Sequence, residues 1–237
     1  MRLLLLTAIG LTFGSMAAGA AERDDRVPLL SATDLDPQAM LPPPPAAGSA
    51  QAAAELAELH TMQQRRSPAE IAAAKLDGAT KNAAIFAEAL GPSFDLTKLP
   101  ATKKLFDMVR ATEKQVVDHG KQEFKRQRPW IIDVSIDSCS KSDQPLSSYP
   151  SGHASMAFSM AGVLARLVPD RAGAILARAA RYGESRIVCE QHFRSDVTAG
   201  EALGLMIADR LMAKPAFATA FEASRVELMQ AGLLRTA

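Results

Sequence analysis

His153-Ala-Ser-Met-Ala-Phe-Ser-Met-Ala-Gly-Val-Leu-Ala-Arg-Leu167 and Val197-Thr-Ala-Gly-Glu-Ala-Leu-Gly-Leu-Met-Ile-Ala-Asp-Arg-Leu-Met212 are the most apolar stretches beyond the chain's first residues. Each is rich in helix formers and lacks the strict alternation of a strand. Charge interrupts both, at Arg166 in the first and at Glu201 and Asp209 in the second. Neither reaches the roughly 20 apolar residues of a membrane span. The pattern predicts an all-α, compact helical bundle in which these two segments are the apolar central helices.

Working outward, the sequence from Ser49 onward is dominated by alanine, leucine, lysine and glutamate. Ser67-Pro68-Ala69-Glu70 places a cap, a first-turn proline and a capping-box acid in order, opening a helix expected to run to about Leu90. A second long helix is expected from Ala101 to near Gln127, stopped by Pro129. Others are predicted over 153–167, 170–183, 193–213 and 216–232. There is no repeat and no internal boundary, so residues 49–237 read as a single α-helical domain. Residues 21–48 form a polar, then Pro-rich arm closing on Leu41-Pro42-Pro43-Pro44-Pro45, which is extended and either lies on the domain or hangs from it.

The basic start Met1-Arg2, the apolar run Leu3 to Phe13 and the small residues Ala17-Ala18-Gly19-Ala20 read as a secretory signal peptide over 1–20. The mature protein is then expected to be periplasmic or secreted, without a transmembrane anchor. A formal net charge of +1 over 237 residues gives no general attraction for a nucleic-acid polymer or a membrane. Cys139 and Cys189 are the only cysteines, and export would permit a disulfide tying the Ser151–His153 loop to the His192 segment. Two separate buried thiols are the alternative.

Three segments carry chemistry. Lys121 and Arg128 lie seven residues apart and share a face if helical. Lys125 shares it too, so spacing does not choose between the lysines, whereas Arg126 falls away and is expected on the surface. Pro150-Ser151-Gly152-His153 forms a tight turn before an apolar helix, offering backbone N–H groups and a hydroxyl to an anion, with His153 as a proton donor. His192 and Asp196 stand one helical turn apart if helical, so the carboxylate can hold one ring nitrogen and leave the other nucleophilic. Arg186 precedes them in a stretch that can fold back to the same anion. Together they fit phosphoryl transfer through a histidine.

The order Lys121, six residues, Arg128-Pro129; Pro150-Ser151-Gly152-His153; Ser185-Arg186, five residues, His192, three residues, Asp196 resembles the signature of the phosphatidic-acid-phosphatase type 2 and vanadium haloperoxidase superfamily. More narrowly, the chain is similar to bacterial class A non-specific acid phosphatases. The closer likeness rests on Leu41-Pro42-Pro43-Pro44-Pro45, Gly48-Ser49, Ser148-Tyr149, both cysteine positions and the exported helical chain. The resemblance implies that Lys121, Arg128 and Arg186 bind phosphate oxygens, helped by Ser151 and the Gly152 amide. It implies His192 as nucleophile, Asp196 as its orienting partner and His153 as the acid at the leaving oxygen. It implies a metal-independent acid phosphatase without cofactor, acting on small phosphomonoesters broadly through a phosphohistidine, with inorganic phosphate as product and a homodimer as assembly.

His60 and His119 match no motif position and are expected as surface or helix residues. Glu190-Gln191 stands where a small or aromatic pair is usual, and Ala154 where a hydroxyl residue commonly follows the histidine. An acid at the rim of an anion site would repel a dianion, bearing on substrate preference and pH optimum. The competing readings are a peripheral lipid-phosphate or polyprenyl-diphosphate phosphatase, a vanadate-dependent haloperoxidase and a non-catalytic helical binding domain.

Overall fold

The computed structural model describes residues 27–234, all of them helix, turn or irregular backbone. The leader expected over 1–20 and the first residues of the arm lie outside that range. In chain order the helices are α1 (Pro37–Met40), α2 (Ala50–Arg65), α3 (Pro68–Ala79), α4 (Ala87–Leu90), α5 (Pro100–Phe124), α6 (Pro129–Ile132), α7 (Gly152–Leu167), α8 (Ala172–Val188), α9 (Arg194–Met212) and α10 (Pro215–Gln230).

Local chemistry explains most of the boundaries. Ser49 Oγ accepts from Ala52 N to start α2, and Ser67 with Glu70 closes the reciprocal capping box of α3. α3 does not run on to Leu90 as expected. Thr80 bonds back to the Leu76 carbonyl, Asn82 re-caps a 3₁₀ turn over Ala83–Phe86, and the chain restarts as α4. α5 stops at Phe124 rather than near Gln127, because Lys125 takes the left-handed conformation at φ 48°. α8 continues to Val188, five residues past the expected end at 183, so Arg186 sits on its last turn and not in a fold-back loop.

α7 is buried on nearly every side, with Met156, Met160, Val163 and Leu164 at 1% exposure or less. α9 differs from the expectation of a second apolar helix: Leu203, Ile207 and Leu211 face inward while Ala202, Leu205, Asp209 and Arg210 face outward. The two cross at backbone contact. A Cβ on Gly200 would lie 2.5 Å from the Ser151 carbonyl oxygen, and one on Gly204 2.5 Å from that of Ser155. Gly204→Ala is therefore expected to force the helices apart at a cost of about 1–3 kcal/mol. Gly173→Ala, where nothing lies within 4 Å, is expected to leave stability equal or higher. Thermal denaturation of the two variants checks the contrast.

Part of the described segment before α2 packs on its own chain. Leu30, Leu35 and Leu41 belong to the main core, Leu29 N donates to Thr112 Oγ1, and Tyr149 Oη donates to the Pro42 carbonyl. At the far end, Glu227 of α10 accepts from Ala101 N and Thr102 N, placing a carboxylate on the positive N-terminus of α5.

Candidate active site

α5, α7, α8 and the turn before α9 converge on a cavity of about 490 Å³ whose wall includes Lys121, Arg128, His153, Arg186 and His192. Gly152 lines a smaller adjoining recess with Lys121 and His153. Ser151 is fully buried behind this wall: its Oγ caps α7 by accepting from Ala154 N, and its N–H donates to the Asp196 carbonyl. That last bond ties the Pro150–His153 turn to the His192 segment.

The ambiguity between lysines resolves to Lys121. The left-handed Lys125 ends the helical periodicity and turns its own side chain toward a groove beside Pro45 and Ala52. The same break overturns the surface placement of Arg126, whose side chain is 8% exposed and ion-paired with Glu55 and Asp196. Spacing carried the helical wheel two residues past the real end of α5.

Three cations face the cavity with few counter-ions. Arg186 is 6% exposed, makes no ion pair among the described residues, and has a buried Nε without a partner, as does Arg128. Burial brings Arg186 down to about 10 and Arg128 down to about 10, so both stay charged in acid. Burial, then the neighbouring Arg128, lowers Lys121 to about 8. Such unpaired charges cost stability in an empty site and are repaid by a bound dianion.

His192 is 1% exposed and lies just before α9, so it and Asp196 are not one turn apart on a helix, contrary to the spacing. Asp196 is instead the first-turn acid of α9. Its Oδ2 accepts from Phe193 N at 2.9 Å and from Ser148 Oγ at 2.6 Å, and stands 3.4 Å from His192 Nδ1. Arg128 Nη1 lies 2.9 Å from His192 Nε2. The same Nη1 lies 3.4 Å from Nδ1, so the guanidinium reaches both ring nitrogens, with Nε2 the nearer acceptor. Burial, followed by Arg128, Lys121 and Arg186, holds the imidazole well below the usual histidine range. These influences favour the neutral ring.

His153 lies at the start of α7 with its Nε2 donating to the Gly78 carbonyl at 3.1 Å. Burial and then Arg186 lower its basicity, and the Gly78 carbonyl opposes them by favouring the protonated ring. Gly78 also passes under Arg186, since a Cβ there would lie 2.5 Å from Nη1. The spacing predicts a helix running on to Leu90, in which Gly78 is an interior residue with no special role.

Cys139 and Cys189 are bonded, closing a separation of 50 residues. In the chain-entropy description that constraint contributes about 4 kcal/mol. It ties the 133–148 loop, not the Ser151–His153 turn, to the end of α8. Glu190 does not stand at the rim either: it is fully buried at φ 52°, with Arg66 3.6 Å away and no hydrogen bond to either carboxylate oxygen. Gln191 donates its amide to Ser138 Oγ and the Ser140 carbonyl, bracing the mouth. His60 and His119 are partly exposed beside Asp133 and Asp36, away from the cavity.

Residues 111–218 match the PAP2 superfamily. The chain is 34% identical over 172 residues to an acid phosphatase of Zymomonas mobilis, covering 70% of this chain and 65% of that protein, just under two thirds of its length. It is 31% identical over 193 residues to a non-specific acid phosphatase of Providencia stuartii, covering 77% of each chain. Identity to a non-specific acid phosphatase of Salmonella typhi is 30% over 151 residues, covering 62% of this chain and 60% of that one. The matched stretch contains every side chain that faces the cavity from α5, α7, α8 and the turn before α9, and the chain belongs to the non-specific acid phosphatases of the PAP2 superfamily.

Proposed function

We propose that this chain hydrolyses phosphomonoesters in two steps through a phosphohistidine. The observation that carries the reading is the buried imidazole of His192 in the wall of a cavity that it shares with Lys121, Arg128 and Arg186, with Asp196 Oδ2 3.4 Å from its Nδ1. In the first step Nε2 attacks phosphorus, the P–O ester bond breaks, and His153 gives its proton to the departing oxygen. In the second, His153 takes a proton from water, the resulting hydroxide attacks phosphorus, and the P–N bond breaks to release orthophosphate. The three cations neutralise the phosphoryl oxygens throughout, so fixed protein charge performs the work and no divalent ion is required.

The pH dependence follows from the same groups. His192 must be neutral, and its depressed basicity carries that state into acid. His153 must be protonated; burial and then the Arg186 charge depress its basicity, and a bound dianion offsets the second of these. Activity is therefore expected to be bell-shaped with an acidic optimum. Above pH 8 affinity falls further as Lys121 loses its charge.

The mouth is lined by Lys75, Lys81, Lys141, Ser140 and Ser142, without an aromatic ring to select one leaving group. This supports a broad range of small phosphomonoesters. The oxidised cysteine pair supports export to a periplasmic or secreted location. No helix of the described residues is long and apolar enough to cross a membrane.

The test is phosphate release from an aryl phosphate and from lipid and polyprenyl phosphates, with and without excess chelator. Rapid denaturation at alkaline pH, which preserves a P–N bond, should trap labelled enzyme. Turnover that stops in chelator, or full turnover without trapped label, would overturn the reading.

A further inference from the structure

We infer that Arg126, backed by Glu55, is a positioning residue that locks the Asp196 carboxylate against His192 and offsets its charge. The inference rests on the proposed role of His192 as nucleophile. A carboxylate whose two oxygens are equivalent turns easily unless each is claimed by its own donor. Oδ2 of Asp196 serves Ser148, Phe193 and His192, whereas Oδ1 accepts from Arg126 Nη1 at 2.6 Å. The same Nη1 donates to Ser195 Oγ at 2.7 Å, and Nη2 donates to Glu55 Oε2 at 2.8 Å. Glu55 Oε1 in turn accepts from Ser195 N at 2.8 Å, and the Arg126 guanidinium lies 4.3 Å above the Phe193 ring. Glu55, Arg126 and Asp196 are all nearly or fully buried. α2 thus reaches the nucleophile through a chain of alternating charges.

The charge order predicts a signed effect. The charged groups facing His192 are Lys121 from α5, Arg128 from the segment after it, His153 from α7, Arg186 from α8 and Asp196 from α9. Among these charged groups Asp196 alone favours an imidazolium, alongside the Ser148 backbone, and Arg126 cancels part of the Asp196 pull. A neutral residue at 126 leaves Asp196 uncompensated, makes His192 easier to protonate and moves the acidic limb of the rate profile to higher pH. A neutral residue at 55 does the opposite, because Arg126 then acts on Asp196 undivided.

The experiment measures kcat, KM and phosphate inhibition against pH for the full chain and for Arg126→Gln, Arg126→Lys and Glu55→Gln. In Arg126→Gln, kcat is expected to fall about 10- to 100-fold with KM and phosphate inhibition near those of the parent. Its acidic limb shifts upward, Arg126→Lys restores the limb, and Glu55→Gln shifts it downward. If Arg126→Gln does not fold, the downward shift in the near-isosteric Glu55→Gln carries the test alone. Loss of activity with an unmoved limb in every folded variant, or a rise in KM in place of a fall in kcat, overturns the inference and leaves a mere tether of α2 to α9. If His192 is not the nucleophile, the parent enzyme itself yields no trapped phosphoenzyme, which separates that failure from this one.

Discussion

His192→Ala is expected to lower kcat by about 10⁴-fold or more while phosphate still binds, because in the proposed mechanism the removed group forms the covalent bond and the cations remain. Its ring is buried and neutral, so deletion removes one hydrogen-bond partner of Arg128 and leaves a small void. A large loss of fold is not expected. Two measurements on the same preparation decide the matter: turnover of an aryl phosphate, and label retained after alkaline denaturation. Residual activity within tenfold of the parent would remove His192 from the reaction. Asp196→Asn provides an ordered comparison, with the ring kept in place but no charge beside Nδ1.

Arg186→Ala is expected to reduce kcat/KM by about 10²- to 10³-fold, the scale of losing one preorganised donor to a developing oxyanion. Its stability effect should have the opposite character. Removing one member of a buried ion pair strands a charge, but Arg186 makes no ion pair among the described residues and its Nε is without a partner, so its removal discharges the site. The melting temperature should stay equal or rise, despite the loss of activity. Added orthophosphate should raise the melting temperature of the parent, by about 2.7 kcal/mol of stabilisation at 100 times the dissociation constant, and raise that of the variant far less. A variant that melts markedly lower and responds to phosphate like the parent would show that Arg186 is packing material and not an oxygen ligand.

The segments that carry these side chains were legible in sequence because their groups are chemically uncommon together. Lys121, Arg128, His153, Arg186 and His192 do reach one cavity, and the helical character of their supports follows from composition. What failed was periodicity carried past a helix end. Nothing at Phe124-Lys125 resembles a stop signal, since neither glycine nor proline is there, yet Lys125 takes the left-handed conformation. With that one residue, Arg126 moved from the surface to the back of Asp196. Glu190 failed for a related reason: its partner Arg66 lies on a distant part of the chain, and without it a buried acid looks implausible. The inequality of α7 and α9 was hidden because apolar content alone does not say which face a neighbour covers.

The contact of α7 and α9 through Gly200 and Gly204 has an evolutionary consequence. The spacing between the His153 turn and the His192 turn is set by main chain on main chain, which few substitutions can retune. The rim over residues 138–142 is loop held by a covalent staple and a glutamine. Drift can thus alter which molecules are admitted, residue by residue at the rim, while the reaction performed on them is inherited unchanged.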